Sequence, residues 1–384
     1  MKNGYGLEQS EYEKLVDRFY GFEEYYFYKK TEYYKDYKFI LGLIDDIRNN
    51  KPMDTAYKNA IIGYWISFRK IPRQISNELS IMITDTCQLK CKHCYNQDTP
   101  RKNKFMTYDE FVFLFNKHQE LRKHFIHTKD KQKNNIALLG GEIMLNPYLY
   151  DIMKFIFHCK DTTMDFVTNG LYIPDNILNL LVCNKNRVKI QISIDGLKET
   201  HEFIRGEGTY DKSVATLNKL IDLGLDVHTN TVINSLNYKD YKEIVDKKIF
   251  NCYSRSLFYS PQNTTDIKIC TKEELNSIGY DNFYPCISGT VLNLDMNGVY
   301  NLCLKTGFPD VVNLFTDDIE TCVQKIKKSL IRYRPTPVYC FDCKKVDKYF
   351  GCMPCNNITR ETYNTEDAYC HILGRKEIGD MYRV

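Results

Sequence analysis

The feature that most constrains the fold of this sequence is an alternation of short apolar segments with helical patterns across its central part. Strand–helix–strand units of this kind place consecutive strands parallel in one sheet, with the helices packed outside it. Eight units close a full barrel of about 250 residues, so six units predict an α/β fold with an open, partial (β/α)6 barrel. The six predicted strands lie at residues 79–84, 135–139, 164–168, 188–194, 225–233 and 255–259.

Helix signals and turn residues fill the intervals between these segments. Thr107 and Glu110 form a capping-box pattern at the start of a Phe-rich helix. The helix before the fifth strand carries its apolar residues on one face and is expected to end at Gly224. The turn pairs Gly140-Gly141 and Asn169-Gly170 follow the second and third strands, which predicts loops at the carboxyl ends of both.

One face of the fourth predicted strand is polar, which is unusual for a parallel strand. Alternate side chains of a strand point to opposite faces. Either this strand lies at an edge with one wet face, or its polar face lines a barrel lumen that holds a polar ligand. The fifth strand alternates in the same way, although a lone histidine is more often structural than a ligand. Under the second interpretation the candidate catalytic residues are Lys189, Gln191, His228 and Asn230.

The fifteen cysteines are unevenly placed: none precedes Cys87, three fall within 87–94, and nine lie from Cys270 onward. The sequence has neither a signal-peptide pattern nor an apolar stretch of about 18 residues that would cross a bilayer, so we expect a cytoplasmic protein. Because the cytosol keeps thiols reduced, metal or cluster ligation is a better expectation than disulfides. The distribution predicts three regions, at residues 1–76, 77–262 and 263–384.

The charge balance gives no support for a nucleic-acid or membrane partner. Lys and Arg number 53 against 49 Asp and Glu, for a formal net charge of +4, whereas such partners are usually bound by clustered positive charge. The longest basic stretch, residues 117–133, is interrupted by Glu120 and Asp130. We expect a solvated loop there, and neither nucleic acid nor membrane as a partner.

Cys87, Cys91 and Cys94 directly follow the first predicted strand, with the spacing C-x3-C-x2-C. Iron–sulfur cubanes take thiolate ligands from cysteine, and three thiolates leave one of the four irons free to bind something else. A zinc site is the alternative, but zinc sites usually combine two close pairs of ligands. The other metal-binding side chain nearby is His93, inside the motif. The spacing therefore favours an iron–sulfur cluster with one open iron.

At these residues the sequence resembles the radical S-adenosylmethionine (SAM) superfamily, in which such a loop follows the first barrel strand. The resemblance implies that Cys87, Cys91 and Cys94 hold a [4Fe–4S] cluster whose free iron binds the methionine part of SAM. One electron from that cluster then cleaves SAM to methionine and a 5′-deoxyadenosyl radical, which abstracts a hydrogen atom from the substrate.

Further segments match the family in the order that it implies. The histidine inside the cysteine motif takes the place of an aromatic residue that packs on adenine. Residues 140–142 match a motif for the SAM amino group, since a carboxylate suits an ammonium and glycine permits close approach. Two residues at the end of the fourth strand match positions near the ribose, and an arginine suits the SAM carboxylate. The implied cofactor-binding residues are His93, Gly140, Gly141, Glu142, Ser193, Asp195 and Arg205.

The cysteines from residue 270 onward resemble a SPASM domain, which holds two auxiliary [4Fe–4S] clusters. Cys286 and Cys303 bracket a predicted hairpin with Gly298 in its turn. The later cysteines are separated by gaps of eight and two residues where the family has five and three, which leaves the assignment of ligands open. The resemblance gives the first cluster Cys286, Cys303 and Cys355, and the second Cys340, Cys343, Cys352 and Cys370.

The eighth auxiliary ligand is expected to be Cys270, with Cys252 and Cys322 as rivals. Without Cys270 the first auxiliary cluster would keep an open iron for substrate. The alternative is a zinc ribbon built from the two C-x2-C pairs at 340–343 and 352–355, which would leave Cys286 and the other cysteines of the module unexplained.

The first 76 residues are rich in tyrosine and contain the only tryptophan, Trp65. Residues 8–48 are predicted to be helical and carry no cluster ligands. This region is either a helical extension packed on the barrel or a docking surface for a peptide or partner. It shows no pattern of a winged-helix peptide-recognition domain, so leader recognition is expected from a separate protein.

The resemblance implies a maturase that oxidises a ribosomally made peptide, most simply to a carbon–carbon or thioether cross-link, with a flavodoxin- or ferredoxin-type electron donor. Formylglycine formation in a sulfatase, redox-neutral epimerisation and a small-molecule substrate are the alternatives within the family. A non-enzymatic zinc module that binds nucleic acid or a protein is the alternative outside it, and the near-neutral charge counts against that module.

Overall fold

The computed structural model of the protein contains all six predicted strands, and each pairs in parallel with its neighbours in the order β6-β5-β4-β3-β2-β1. Within the described part of the chain β6 does not pair with β1, so the sheet is open and the predicted partial barrel is confirmed. The six strands are β1 (Glu78–Met82), β2 (Asn134–Leu139), β3 (Thr162–Thr168), β4 (Val188–Ser193), β5 (Asp226–Ile233) and β6 (Tyr253–Phe258). The structure describes residues 10, 14, 34–49, 51–54, 58, 61, 78–94, 101–124, 134–258, 267–268, 270–278, 292–301 and 312–332.

Helices connect successive strands and cover the sheet, as strand–helix–strand units require. Two short 3-10 turns, Ile143–Leu145 and Lys185–Arg187, precede α3 and β4. None of the helices in the described ranges is long and apolar enough to cross a membrane. The helices are α1 (Tyr34–Arg48), α2 (Tyr108–Arg122), α3 (Leu149–His158), α4 (Asp175–Cys183), α5 (Lys198–Arg205), α6 (Thr209–Asp222), α7 (Tyr238–Asp246), α8 (Lys272–Ser277) and α9 (Ile319–Arg332).

A small antiparallel unit from the C-terminal region extends the barrel sheet beyond β1. β7 (Leu292–Leu294) pairs in parallel with β1, and β8 (Val299–Asn301) and β9 (Val312–Asn313) continue the sheet in antiparallel fashion. The hairpin predicted around Gly298 is confirmed, and this residue has a φ of +71°. A Cβ there would lie 2.5 Å from a ring carbon of Phe315, so the turn requires glycine. The boundary at residue 263 stays a prediction, since this unit shares the barrel's sheet.

The core lies between the sheet and its helices. Val188, Ile190, Ile192 and Ile194 are at most 2% exposed and pack with apolar residues of the surrounding helices. This is the face that the alternation in the fourth strand assigns to the core. The other face of the strand is the polar one, and its position is described with the site below.

Helix α2 begins as predicted and continues further than predicted. Thr107 and Glu110 cap it reciprocally through side-chain and backbone hydrogen bonds, which confirms the capping box. The helix runs to Arg122, so the loop expected from residue 117 onward is wrong for residues 117–122. Its buried side chains include His118, and burial on α9 and the core stabilises these turns despite their basic residues.

Candidate active site

The cysteine loop, residues 85–94, leaves β1 at the carboxyl edge of the sheet and lies against the end of β2. The backbone N–H of Gly141 donates to the carbonyl of Thr84 at 2.8 Å, and that of Glu142 donates to Thr86 at 2.8 Å. A Cβ on Gly140 would lie 2.6 Å from the Thr84 carbonyl oxygen, and one on Gly141 2.3 Å from that of Thr86. Both glycines are therefore needed for the close approach of the two chain segments.

Residues 101–104 fasten the cysteine loop from its other side. Arg101 donates through Nη1 to the carbonyls of Cys87 (2.6 Å) and Leu89 (2.8 Å). Asp85 accepts the backbone N–H groups of Lys102 and Lys104 at 2.8 Å each. Sequence reasoning missed both Arg101 and Asp85, because nothing in their spacing distinguishes them from ordinary surface charges.

The three thiols of the loop are sheltered from solvent. Cys91 is 8% exposed and Cys87 and Cys94 are half-buried. Burial raises the pKa of Cys91 to about 11 and raises that of Cys87 as well. Ionised thiols at these positions therefore require a compensating cation, and metal coordination deprotonates a thiol outright.

The thiols of the cysteine loop can be compared with the needs of an iron–sulfur cluster and of a zinc site. Within the described residues, no three His, Cys, Asp or Glu side chains converge as ligands of a single ion, although Cys87, Cys91 and Cys94 all interact electrostatically. A cubane keeps its thiolates apart, because each binds a different iron. His93 directs Nε2 to Asp195. Three cysteines on one loop suit a cubane with one open iron.

Glu142 joins the ends of β2 and β3 through its buried carboxylate. Oε1 accepts hydrogen bonds from the Met144 N–H at 3.1 Å and the Thr168 hydroxyl at 2.7 Å, and Oε2 accepts the Asn169 N–H at 2.8 Å. Burial raises the pKa of this carboxyl, while the hydrogen bonds lower it. Because Glu142 is only 2% exposed, its contact with an ammonium group stays a prediction, and the observed role is to hold the two strand ends together.

Asp195, directly after β4, is the centre of a buried network. Its Oδ2 lies 2.5 Å from Nε of Arg205 and 3.2 Å from Nε2 of His93, and its Oδ1 accepts the Val232 N–H at 2.9 Å. Burial raises the pKa of this carboxyl, but the charge of Arg205 and the other partners outweigh burial, so the pKa is lowered overall. The carboxylate is 0% exposed and its contacts lie within the protein, so its position near the SAM ribose stays a prediction.

Two residues that sequence reasoning did not single out fix the backbone of Asp195. Its N–H donates to Nδ1 of His201 at 3.2 Å, and its carbonyl accepts Nδ2 of Asn237 at 3.0 Å. Burial lowers the pKa of His201 to about 4, so the ring is neutral at physiological pH. The HxxxR spacing puts His201 and Arg205 on one face of α5, which is the signal that was available in the sequence.

Three buried polar atoms at the carboxyl edge have no hydrogen-bond partner among the described residues: Oγ1 of Thr86, Nδ2 of Asn169 and Oδ1 of Asn230. They follow β1 and β3 or lie in β5, and Asn230 stands beside Ser193 in the sheet register. Buried polar groups are rarely left unpaired, so this edge suits a polar ligand. Asn169 was read from the sequence only as part of a turn.

The candidate residues on the inner faces of β4 and β5 divide between the two edges of the sheet. Gln191, Ser193 and Asn230 are at most 8% exposed, and Gln191 stands beside the half-buried His228. Lys189 is exposed near the amino end of β4, where it lines a polar cavity of about 500 Å³ with residues such as Asp165. The structure therefore does not bring Lys189 to the cysteine loop.

Most cysteines of the predicted auxiliary module lie outside the described residues: Cys286, Cys303, Cys340, Cys343, Cys352, Cys355 and Cys370. Of the three candidates for the eighth ligand, Cys270 is 4% exposed, and burial raises its thiol pKa to about 12. Cys322, in α9, is 0% exposed and packs in the apolar core. Cys252 is half-buried and packs against the same core.

Comparisons with known proteins agree with this architecture. Residues 81–247 match the model of the radical SAM superfamily. The sporulation killing factor maturation protein SkfB of Bacillus subtilis is 25% identical over 169 residues, which are 44% of this chain and 38% of SkfB. GTP 3′,8-cyclase of Clostridium perfringens is 29% identical over 171 residues, which are 44% of this chain and 49% of the cyclase. The matches thus span less than half of either relative.

Among solved structures, SuiB of Streptococcus suis bound to S-adenosylmethionine superposes with a TM-score of 0.57 at 15% sequence identity, over 83% of each chain. The same protein bound to its precursor peptide SuiA superposes with a TM-score of 0.56 at 12% identity, over 78% of this chain and 77% of SuiB. At these identities the likeness establishes a shared fold.

Proposed function

We propose that this chain, whose residues 81–247 match the radical SAM superfamily, is an enzyme that oxidatively modifies a ribosomally made peptide through a 5′-deoxyadenosyl radical. The observation that carries the proposal is the cysteine loop at the carboxyl edge of the sheet, with Arg205 and His93 fixed beside it by Asp195. Parallel α/β folds bind their ligands at this edge.

The cofactor proposed for the loop is a [4Fe–4S] cluster held by Cys87, Cys91 and Cys94, and the cosubstrate is SAM. The cluster, when bound, supplies one electron to SAM. The Nη1 of Arg205 lies 3.9 Å from Sγ of Cys91, which supports the guanidinium as a candidate partner of the SAM carboxylate. The unpartnered oxygen of Thr86 and amide groups of Asn169 and Asn230 are further candidate contacts.

The residues of the chain then account for binding and orientation. The backbone of residues 140–142 is stacked against the cysteine loop, and its glycines permit a ligand to approach closely. Nε2 of His93 lies 3.2 Å from the carboxylate of Asp195, and we assign the ring of His93 to contact with adenine. Gln191 and Ser193 line the inner face of β4 beside His228 and Asn230, where they are candidates for contact with ribose or substrate.

In the proposed reaction SAM, one electron and a substrate C–H bond give methionine, 5′-deoxyadenosine and a substrate radical. Formation of a carbon–carbon or thioether bond then releases one proton and one further electron from the substrate. That electron needs an acceptor, and we assign it to auxiliary clusters bound by Cys270 and the seven cysteines outside the described residues. A flavodoxin- or ferredoxin-type protein is the proposed donor of the first electron.

The substrate class is supported by relatives. SkfB is named as a maturation protein, and SuiB has been solved with a precursor peptide. The similarity to GTP 3′,8-cyclase keeps a small-molecule substrate as the second candidate. Formylglycine formation and epimerisation use the same first step, and they differ from cross-linking in the mass change of the peptide. Leader recognition is proposed to come from the Tyr-rich region 1–76 or from a separate protein.

The test is anaerobic incubation of the reconstituted full-length enzyme with SAM and dithionite, followed by chromatography of 5′-deoxyadenosine. The proposal expects its formation by the wild type and none by a Cys87/Cys91/Cys94→Ala variant. A peptide encoded beside the gene and co-expressed with the enzyme is expected to lose about two mass units for each cross-link. If SAM is cleaved and the peptide keeps its mass, while an added nucleotide is converted to a product, the small-molecule alternative would be favoured.

A further inference from the structure

The carboxylate of Asp195 is contacted from three separate parts of the fold. Nε of Arg205 comes from α5, Nε2 of His93 from the cysteine loop, and the N–H of Val232 from β5. The side chain is 0% exposed, and the side chains of Arg205 and His93 are 10% and 7% exposed. A carboxylate enclosed in this way has no surface left for a ligand.

We propose that Asp195 is the positioning residue of the cofactor site: it orients Arg205 and His93 toward the cysteine loop and balances the charge of Arg205, without touching the cofactor itself. The inference rests on the proposed function, because the proposed function assigns Arg205 and His93 to contact with SAM. The resemblance implies only a position near the ribose for Asp195, and the inference gives the residue a role there.

The orientation of the Arg205 guanidinium depends on which of its nitrogens contacts Asp195. Asp195 binds Nε at 2.5 Å, so the two Nη groups at the far end of the planar fork remain for another acceptor. Nη1 is directed to Sγ of Cys91 at 3.9 Å, and Nη2 has no partner among the described residues. A guanidinium presents paired donors in a fixed plane, so fixing Nε fixes the direction in which the Nη pair points.

Charge balance follows from the burial of the pair. An unpaired charge is costly to bury, and the guanidinium of Arg205 is enclosed close to the thiol of Cys91. With Asp195 ionised, the pair is neutral. If Asp195 were replaced by asparagine, a lone cation would remain beside the cysteine loop. Such a cation stabilises added negative charge, and the potential of a cluster depends on nearby charge and hydrogen bonds.

The fold permits a clean test of the carboxylate, since other groups hold the backbone of Asp195. The N–H donates to His201 and the carbonyl accepts from Asn237, and neither bond involves the side chain. Asp195→Asn therefore removes the charge at nearly constant shape while the backbone stays anchored. Asp226→Asn makes the same charge change at an exposed position at the amino end of β5 and serves as the matched control.

The experiment uses the full-length reconstituted enzyme and measures iron per chain, the dissociation constant of SAM and the midpoint potential of the SAM-cleaving cluster. We expect Asp195→Asn to keep the iron of the wild type, to bind SAM at least tenfold more weakly and to shift the potential upward. Asp226→Asn is expected to match the wild type in all three. The double variant Asp195→Asn/Arg205→Ala should lose less SAM affinity than the sum of the two single losses, because part of the effect of Asp195 acts through Arg205.

Unchanged affinity and potential in Asp195→Asn, or additive losses in the double variant, would overturn the inference. If Asp195→Asn does not retain iron, the same measurements are made on Asp195→Glu. This variant keeps the charge with a longer side chain, and is expected to preserve the potential while weakening SAM binding. Loss of iron in both variants would make Asp195 a folding residue and overturn the proposal. Absence of SAM binding by the wild type would instead overturn the proposed function.

Discussion

Arg205 and Cys91 are separated by 114 residues in the sequence, yet Nη1 of the arginine lies 3.9 Å from the sulfur of the cysteine. The contact is made because the cysteine loop follows β1 and α5 follows β4, and the carboxyl ends of parallel strands lie at one edge of the sheet. A second bond, from the N–H of Lys92 to the carbonyl of Ile204 at 2.9 Å, holds the same two segments together. This juxtaposition places a cation beside the proposed cluster.

Loss of the guanidinium should weaken SAM binding without loss of the cluster. Replacement of Arg205 by glutamine removes the donors proposed for the SAM carboxylate, and hydrogen bonds to charged groups contribute about 1.5–3 kcal/mol. We therefore expect a dissociation constant raised roughly ten- to a hundredfold, measured by equilibrium dialysis with labelled SAM. Lys212→Gln, on the exposed side of α6, is the control. Equal affinity in both variants would remove Arg205 from the site.

Substitution of Gly141 by alanine should prevent assembly of the cysteine loop. Its Cβ would lie 2.3 Å from the carbonyl oxygen of Thr86, so either the loop or the end of β2 must move. We expect iron per chain to fall by about one cluster after anaerobic reconstitution. Gly42→Ala, in α1 where a Cβ meets nothing within 4 Å, should retain all of its iron. A fully loaded Gly141→Ala variant would show that the close approach is dispensable.

His118 should make the protein sensitive to acid. Burial, with a smaller contribution from the charge of Arg122, lowers its pKa to about 3, and neither ring nitrogen has a hydrogen-bond partner among the described residues. The unfolded chain binds a proton near pH 6.5 and the folded chain does not. The contribution of His118 to stability is therefore present above about pH 6.5 and falls by about 1.4 kcal/mol per pH unit as the pH drops toward 3.

The measurement is urea denaturation of the metal-free protein between pH 7 and pH 4.5, compared with His118→Leu. The free energy of unfolding of the wild type is expected to fall more steeply with decreasing pH than that of the variant. Parallel curves for the two proteins would show that folding does not lower the pKa of His118.

Cys270 and Cys322 should respond differently to replacement by alanine. If Cys270 is the eighth auxiliary ligand, Cys270→Ala should lower the iron content or change the spectrum of one auxiliary cluster. Cys322 is enclosed in the apolar core, so Cys322→Ala should keep the iron and lose roughly 1 kcal/mol of stability through the cavity that it leaves. Iron analysis and thermal melts of the two variants check this. Loss of iron in Cys322→Ala but not in Cys270→Ala would make Cys322 the auxiliary ligand instead of Cys270.

The strands and the family could be predicted from the sequence because both depend on local patterns. The apolar alternation located each barrel strand to within a few residues, and the Thr107–Glu110 pair located the start of α2. The resemblance carried by the cysteine loop and residues 140–142 is confirmed by the family match. These signals are periodicity, spacing and capping, and each of them involves only residues that are close together in the sequence.

What could not be predicted depends on contacts between distant segments. The sequence did not indicate that the carboxylate of Asp195 is enclosed by partners from three elements. It gave no sign that Arg101 fastens the cysteine loop or that β7 joins β1. Lys189 shares a strand face with Ser193, but alternation does not reveal which end of the strand faces the site. Contacts of this kind form only when the chain is packed, so no short-range pattern in the sequence reveals them.

The measurement that tests the central claim most directly is the iron and zinc content per chain after anaerobic purification and reconstitution, for the wild type and for Cys87/Cys91/Cys94→Ala. With one [4Fe–4S] cluster on the cysteine loop and two auxiliary clusters, the account predicts about twelve irons in the wild type and about eight in the variant, with no zinc. Equal iron in the two proteins, or zinc in place of the four irons that the variant should lose, would contradict it.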